Sequence, residues 1–503
     1  METSKQSEAL DLDRVRIDPS CAMKIPATLA LRRQVLPFAV VDGHAYVACL
    51  NPDDRNAMQA VERALQLPVR PQLAEPDSLR RALERMFGDG TSAAGPAAGP
   101  RPGRPADRRR SGETESEDAV ALCDDVLRSA VMRQASDIHI DPMKEAVRIR
   151  FRTDGVLDEY RQLPVAAQSG LVSRLKVLAG MDIAEKRAPQ DGRFTYQAGG
   201  GSQMVDIRAA TLPTKYGERM TLRLLALQTD SLTLERLGMA PEDLACFTEA
   251  IQKPHGLILL SGPTGSGKST SLYAAVRRLI GQRDLNVVTI EDPIEYDISG
   301  VAQVEVDSAD KVSFAKALRS VLRHDPDVVM IGEIRDGETA DIAIKAALTG
   351  HLVFSTLHTN SAASAVTRLI DMGVARYLVA ATLRLVVAQR LVRLSCEHCR
   401  QEIELTSQWA QLLGDPSLAG RTVYQPSGCM YCANRGFVGR LGLFEMMPVD
   451  ASLSRLIAEG AGEVEIMGEM QRRGATRLID DALRKLIAGD TVTEDVVRAV
   501  TVW

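Results

Sequence analysis

The sequence predicts an α/β protein assembled from several domains, and three observations carry that expectation. The chain has 503 residues, and at about 100–200 residues per domain that is three or so cores. From about residue 119 onward, apolar runs of strand length alternate with segments of helical periodicity, the pattern of sheets covered by helices. One such run, GLILLS, passes through GPTGSGKST into an amphipathic helical stretch, LYAAVRRLI.

Composition narrows the class. Hydrophobic residues make up 45% and charged residues 25%, the balance of an ordinary soluble domain. Lys+Arg number 61 against Asp+Glu 66, a net charge of -5. A protein gripping nucleic acid over its whole surface would be strongly basic, so no nucleic acid partner is expected. No apolar run reaches the roughly 18–20 residues of a membrane span. The first residues, METSKQSEALDLDR, lack the basic start and apolar centre of a signal peptide. The chain is therefore expected to stay in the cytosol.

Residues 1–87 read as a small α/β module. LPFAVVDGHAYVACLNPDD gives two strands around Asp42-Gly43, a helix follows near 54–67, and Leu79, Leu83 and Phe87 recur at helical spacing. Residues 88–118 carry almost no large apolar side chain and predict a flexible linker. Its charge is segregated: Arg101, Arg104, Arg108, Arg109 and Arg110 precede Glu113, Glu115, Glu117 and Asp118. That arrangement suits a solvated tether or an arginine cluster touching acidic lipid. Residues 119–230 form a second α/β domain. Its first helix shows Leu122, Val126 and Val131 near one face, and Arg193, Arg208 and Arg223 lie on strands or turns.

The most informative stretch is the loop of Gly262, Pro263, Thr264, Gly265, Ser266, Gly267, Lys268, Ser269 and Thr270. It fits G-x-x-x-x-G-K-[ST] between a strand and a helix. Glycines let backbone N–H groups turn toward a phosphate, and the helix start adds partial positive charge. Lys268 would bridge the β- and γ-phosphates of ATP, and the Ser269 hydroxyl would hold Mg²⁺. A second strand ends in Gly332-Glu333, which makes Glu333 the candidate catalytic carboxylate at the carboxyl edge of a parallel sheet. Asp would be usual at position 332, so part of the metal shell is unassigned. Glu291, Asp292 and Glu295 end another strand and could complete that shell through water. His351 and His358 flank a third, where His358 could sense the γ-phosphate or be structural.

Cys396-x-x-Cys399 and Cys429-x-x-Cys432 offer four thiolates, enough for a closed tetrahedral Zn²⁺ site. The 29 residues between the pairs exceed the usual 15–20 or so, so 400–428 must form an excursion. Two redox pairs are the alternative, without the βαβ context such pairs have.

GPTGSGKST, EDPIEY, VVMIGEIRD and HLVFSTLHTN, in that order, resemble the secretion ATPase superfamily of type II secretion and type IV pilus motors, with conjugation ATPases more distant. SDIHIDP, DGRFTY, IRAATLPTKYGERMTLRLL and LRHDPD are similar to further family segments, so the likeness spans about 119–503. Glycine at 332 is in keeping with this family. The resemblance implies a RecA-like core at 231–394 preceded by a PAS-like arginine-bearing domain at 119–230. A tetracysteine subdomain at 395–439 and a C-terminal helical bundle at 440–503 would follow. It implies a homo-hexamer with nucleotide between those two domains. Arg193 and Arg208 become candidate nucleotide contacts and Arg319 and Arg323 candidate inter-subunit arginines. A bitopic inner-membrane protein would bind the N-terminal module, and a polytopic platform protein would receive the motion. The function implied is an ATP-driven type II secretion motor at the inner membrane, with type IV pilus assembly as the alternative. A cyclic-dinucleotide sensor in residues 1–87 stays open.

Overall fold

The computed structural model describes residues 9–88, 111–197, 204–225, 233–306 and 313–500, with the backbone alone for 111–118. The arginine cluster of the expected linker lies outside the described residues. The chain forms two units. One comprises residues 1–227 with 396–400 and 426–438, and the other comprises 228–395, 401–425 and 439–503.

In the first unit, β1 (Val35–Val41) and β2 (His44–Cys49) pair antiparallel. Asp42 and Gly43 both take positive φ, 48° and 74°, the backbone that a tight hairpin requires. β3 (Val69–Leu73) adds in parallel to β2. It escaped the sequence reading because VRPQL is short, contains proline and shows no apolar alternation. Helices Arg55–Leu65 and Pro76–Phe87 cover this sheet through Val61, Leu79 and Leu83 against Leu36, Phe38 and Val47.

A helix begins at Ser111, earlier than the expected linker end, and runs to Met132. Residues 113–118, expected in the linker, therefore lie in its backbone. Its buried stripe is Cys123, Val126, Leu127 and Ala130, with Leu122 and Val131 at the margins. Behind it stands a six-stranded antiparallel sheet of β4 (Asp137–Pro142), β5 (Val147–Thr153), β6 (Val156–Leu163), β7 (Gln190–Gln197), β8 (Met204–Thr214) and β9 (Gly217–Leu225), ordered β6-β5-β4-β9-β8-β7.

The second unit is built on β10 (Gly256–Ser261), β11 (Val287–Glu291), β12 (Ala302–Glu305), β13 (Val328–Ile331), β14 (Leu352–Leu357) and β15 (Leu383–Ser395). β16 (Arg400–Glu404) and β17 (Thr422–Pro426) pair separately, and β18 (Phe437–Pro448) closes the main sheet. Its order is β12-β11-β13-β14-β10-β15-β18, parallel from β12 through β15. β10 alternates between two cores: Leu257 and Leu259 pack on one face, Ile258 and Leu260 on the other with Leu272, Val276 and Leu279 of helix Lys268–Ile280. Full burial on both faces is what a parallel sheet demands of its strands.

Four C-terminal helices follow, divided between two cores. Ala451–Glu459 and Glu463–Arg472 join the central core through Leu453, Ile457, Ile466 and Met470. Leu478–Ala488 and Thr493–Val500 pack around Val392, Val423 and Leu443 instead. Among the described residues, no helix is long and apolar enough to cross a membrane.

Candidate functional site

The crevice at the carboxyl ends of β10, β11, β13 and β14 gathers the residues with chemistry to offer. After β10 the loop turns on Gly262, Gly265 and Gly267 at φ 147°, 79° and 87°. Side chains rarely adopt such values. At Gly262 the space is closed by backbone as well, while Gly267 is met by a side-chain tip. A Cβ on Gly262 would stand 2.5 Å from the Gln389 carbonyl oxygen, and one on Gly267 2.9 Å from the Gln389 amide nitrogen. Gly267 also forms the N-cap of helix Lys268–Ile280 without any side-chain cap. The first N–H groups thus remain available to an anion. Ser266 Oγ, buried in the same turn, has no hydrogen-bond partner among the described residues. This is a cradle with donors to spare, and it fits a phosphate chain.

Lys268 is folded back onto its own loop. Its Nζ donates to the carbonyls of Gly262 at 2.8 Å and Pro263 at 3.0 Å. Burial lowers its pKa to about 8, against the pull of the Glu333 carboxylate. Ser269 and Thr270 follow in the first helical turn, half-buried.

Glu333 follows β13 with 18% of its side chain exposed. Oε2 lies 3.1 Å from His358 Nε2, and Oε1 accepts from Arg335. Burial pushes its pKa up, but Arg335 and His358 outweigh this and hold it below the usual carboxylate range. Arg335 also reaches Asp292 at 3.3 Å. Gly332 is explained by space: a Cβ there would stand 3.3 Å from the Ile290 carbonyl oxygen. An aspartate at this position would press on the end of β11, which would have to give by a few tenths of an ångström.

Glu291 departs from its expected place in the metal shell. It is 4% exposed, and its carboxylate accepts from Tyr273, from Thr289 Oγ1 at 2.6 Å and from Gln303 Nε2 at 3.1 Å. Those bonds tie β11 to the phosphate-loop helix through Tyr273, whose hydroxyl burial and the Glu291 charge keep protonated. Tyr273 Oη in turn accepts the Glu295 N–H at 3.2 Å. Asp292 and Glu295 are the exposed members of the trio.

The four cysteines converge in the first unit. Their ligand atoms lie within 4.8 Å of one another, with Cys396–Cys429 at 3.7 Å, Cys429–Cys432 at 3.8 Å and Cys399–Cys432 at 3.9 Å. A tetrahedron with Zn–S bonds of about 2.3 Å has edges of about 3.8 Å, so the spacing fits one zinc ion. Cys432 Sγ also accepts the N–H of Cys429 and Gly436, each at 3.2 Å. Burial pushes its pKa up, but those donors prevail and lower it. Tyr431 stacks on His398 at 3.7 Å and, with Met430, packs against the core of residues 10–87.

Comparison with known proteins decides the family. Residues 113–498 match the family described as type II/IV secretion system protein, and residues 6–93 match the MshEN domain. The chain belongs to the type II/IV secretion system protein family. The type II secretion system protein E of Pseudomonas aeruginosa is 40% identical over 94% of this chain and 96% of its own length. The type IV pilus assembly ATPase PilB of Myxococcus xanthus is 38% identical over 97% and 88%. Among solved structures, the pilus retraction motor PilT with bound ADP superposes with a TM-score of 0.53 and 26% identity, over 75% of this chain and 97% of that one.

The crevice of this secretion ATPase brings Lys268, Asp292, Glu333 and His358 to one sheet edge. Arg319 lies elsewhere. It pairs with Glu338 at 2.5 Å and, with Lys345 and His351, lines a cavity of about 490 Å³ near the amino-terminal end of β14. Arg323 donates to the Arg319 carbonyl at 3.0 Å. Arg193 and Arg208 are register partners across β7 and β8 in the other unit. Arg335, Tyr273, Gln389 and Arg390 went unseen in the sequence; the Arg two residues past Glu333 was the one available signal.

Two outcomes follow. Phosphate binding favours charged Lys268, which is already protonated below its pKa of about 8. ATP affinity should therefore be flat below that pH and fall above it, with proton uptake on binding near pH 8.5. Titration calorimetry in buffers of different ionisation enthalpy reads both. Metal analysis of the purified chain should find about one zinc per subunit, and Cys429→Ser should release it.

Proposed function

We propose that this secretion ATPase is the hexameric, ATP-hydrolysing motor of a bacterial type II secretion system. In this reading it powers pseudopilus assembly, and so export across the outer membrane, from the cytoplasmic face of the inner membrane. The observation that carries the chemistry is the convergence of Lys268, Glu333 and His358 beside an uncapped helix start. The length match to type II secretion protein E supports the choice of machine.

In the mechanism, Lys268 exchanges its two carbonyl partners for phosphate oxygens, and the turn from Gly262 to Thr270 supplies N–H donors to the same chain of phosphates. Ser269, with Asp292 and Glu295 through water, would hold Mg²⁺, which neutralises charge developing on the phosphoryl oxygens. Glu333, kept ionised by Arg335, accepts a proton from the attacking water and orients it. His358 holds the second oxygen of Glu333 and so fixes the carboxylate plane. Arg193 and Arg208 would reach nucleotide from the arginine-bearing domain, and Arg319 and Arg323 would meet a neighbouring subunit. The cysteine quartet has no open position and serves as a structural zinc centre.

Residues 1–87 would dock on a bitopic inner-membrane assembly protein, and a polytopic platform protein would take up the motion. Acidic lipid would reinforce recruitment. Type IV pilus assembly is the second reading, favoured by the extent of the PilB match.

Glu333→Gln should still bind ATP but hydrolyse it at least about 100-fold more slowly, as loss of a water-positioning base implies. Single-turnover hydrolysis with bound ATP measures this. In the source cell, the same substitution should stop export of secreted proteins and spare surface pili. Loss of pili with export intact would assign the chain to the second reading.

A further inference from the structure

β10 and β15 run parallel with Ser261 opposite Ala388. The next residues of β15, Gln389 and Arg390, therefore lie directly beside the start of the phosphate loop. Gln389 Oε1 accepts from Ser271 Oγ at 2.9 Å, inside the phosphate-loop helix. A Cβ on Gly262 would meet Arg390 Nη1 at 3.1 Å. Both ends of the loop thus rest on this dipeptide.

Arg390 is 5% exposed, yet its hydrogen bonds go to neutral oxygens. Nη1 donates to the Gln389 carbonyl at 3.0 Å, and Nη2 to the Asn360 carbonyl at 3.0 Å and Asn360 Oδ1 at 3.4 Å. The carboxylate whose field it feels, Glu445, is itself partly buried, which pushes its pKa up. Glu445 accepts instead from the Ala362 N–H at 2.7 Å. A buried guanidinium without a close anionic partner is costly, and an anion placed in the adjoining cradle would relieve that cost. Its charge already reaches the cradle, since it helps depress the pKa of Lys268 after burial and against Glu333. The other end of the same guanidinium holds Asn360, two residues beyond His358.

We propose that Arg390 is a positioning residue of the phosphate site. Its buried charge lies beneath the cradle and favours the triphosphate. Its guanidinium bridges the Gln389 carbonyl through Nη1 and Asn360 through Nη2, and so fixes the segment that presents His358 to Glu333. This rests on the ATP-hydrolysis reading above, and it separates two roles in one side chain. Charge acts on affinity, and geometry acts on turnover.

The test uses the full chain and fluorescent ATP and ADP analogues, with kcat and KM measured alongside. Arg390→Met should weaken ATP binding about tenfold or more, the worth of a charged contact, and weaken ADP less. Arg390→Lys keeps the charge and should hold ATP affinity within about threefold while kcat falls about tenfold, since an ammonium cannot span the Gln389 and Asn360 carbonyls as the planar guanidinium does. Asn360→Ala removes only the 3.4 Å side-chain bond and keeps the main-chain carbonyl, so it should lower kcat less than Arg390→Lys and leave ATP affinity unchanged. His358→Ala added to Arg390→Lys should cost little more. If Arg390→Met fails to fold, the Arg390→Lys and Asn360→Ala split decides alone. Wild-type kcat in both, or equal losses in kcat and affinity, would overturn the proposal. Lys268→Ala is the control. If it binds ATP normally, the phosphate-site reading itself fails. If it loses ATP while the Arg390 and Asn360 variants match wild type, only this proposal fails.

Discussion

The phosphate site depends on how closely the loop after β10 passes the backbone of β15. At Gly262 a Cβ would stand 2.5 Å from the Gln389 carbonyl oxygen, so the start of the loop cannot be padded there. That contact fixes where the first helical N–H groups point, where Lys268 begins, and which residues of β15 form the floor. Parallel strand register does the rest. β10, β14, β13 and β11 are locked to one another residue by residue, and their carboxyl ends present Glu333, His358 and Asp292 at a common level. A parallel sheet buried on both faces has little freedom to slip.

Charge at the crevice is arranged as opposing pairs with unequal burial. Glu333 is mostly covered and is met by Arg335 and His358, whereas Arg335 is half-exposed and shared with Asp292. The carboxylate is therefore ionised in the resting protein, while the guanidinium is held by contacts that solvent screens. Lys268 is the reverse case, a cation covered by carbonyls and drawn toward neutrality by burial. The Gly262 and Pro263 carbonyls thus hold the ammonium against its own loop.

Sequence order made the phosphate loop, the strands before Glu333 and His358, and the cysteine quartet legible, because each is a short segment whose spacing carries its chemistry. Arg390 and Gln389 were not, since their meaning comes from β15 lying beside β10 across more than a hundred residues. Glu291 shows the opposite failure. Its place in an acidic run suggested a metal, but Tyr273, Thr289 and Gln303 already occupy its carboxylate. Arg319, expected as an inter-subunit arginine, lies on helix Phe314–Val321 beside the cavity lined by Lys345 and His351. The expected helical bundle at 440–503 opens on strand β18, and the division of its helices between two cores depends on side chains from distant strands.

The cysteine knuckle has a further consequence for how the chain is made. Residues 396–400 and 426–438 pack with the amino-terminal unit, although the strands on either side of them belong to the carboxyl-terminal sheet. Met430 and Tyr431 complete an apolar surface formed by residues near the start of the chain, and Arg16 N–H is capped by the Tyr431 carbonyl at 2.9 Å. During synthesis that surface stays uncovered until the ribosome has moved well past residue 438. Domains generally fold in order as they emerge; here the first to emerge is among the last to be finished, and its apolar face waits on residues made about 340 positions later.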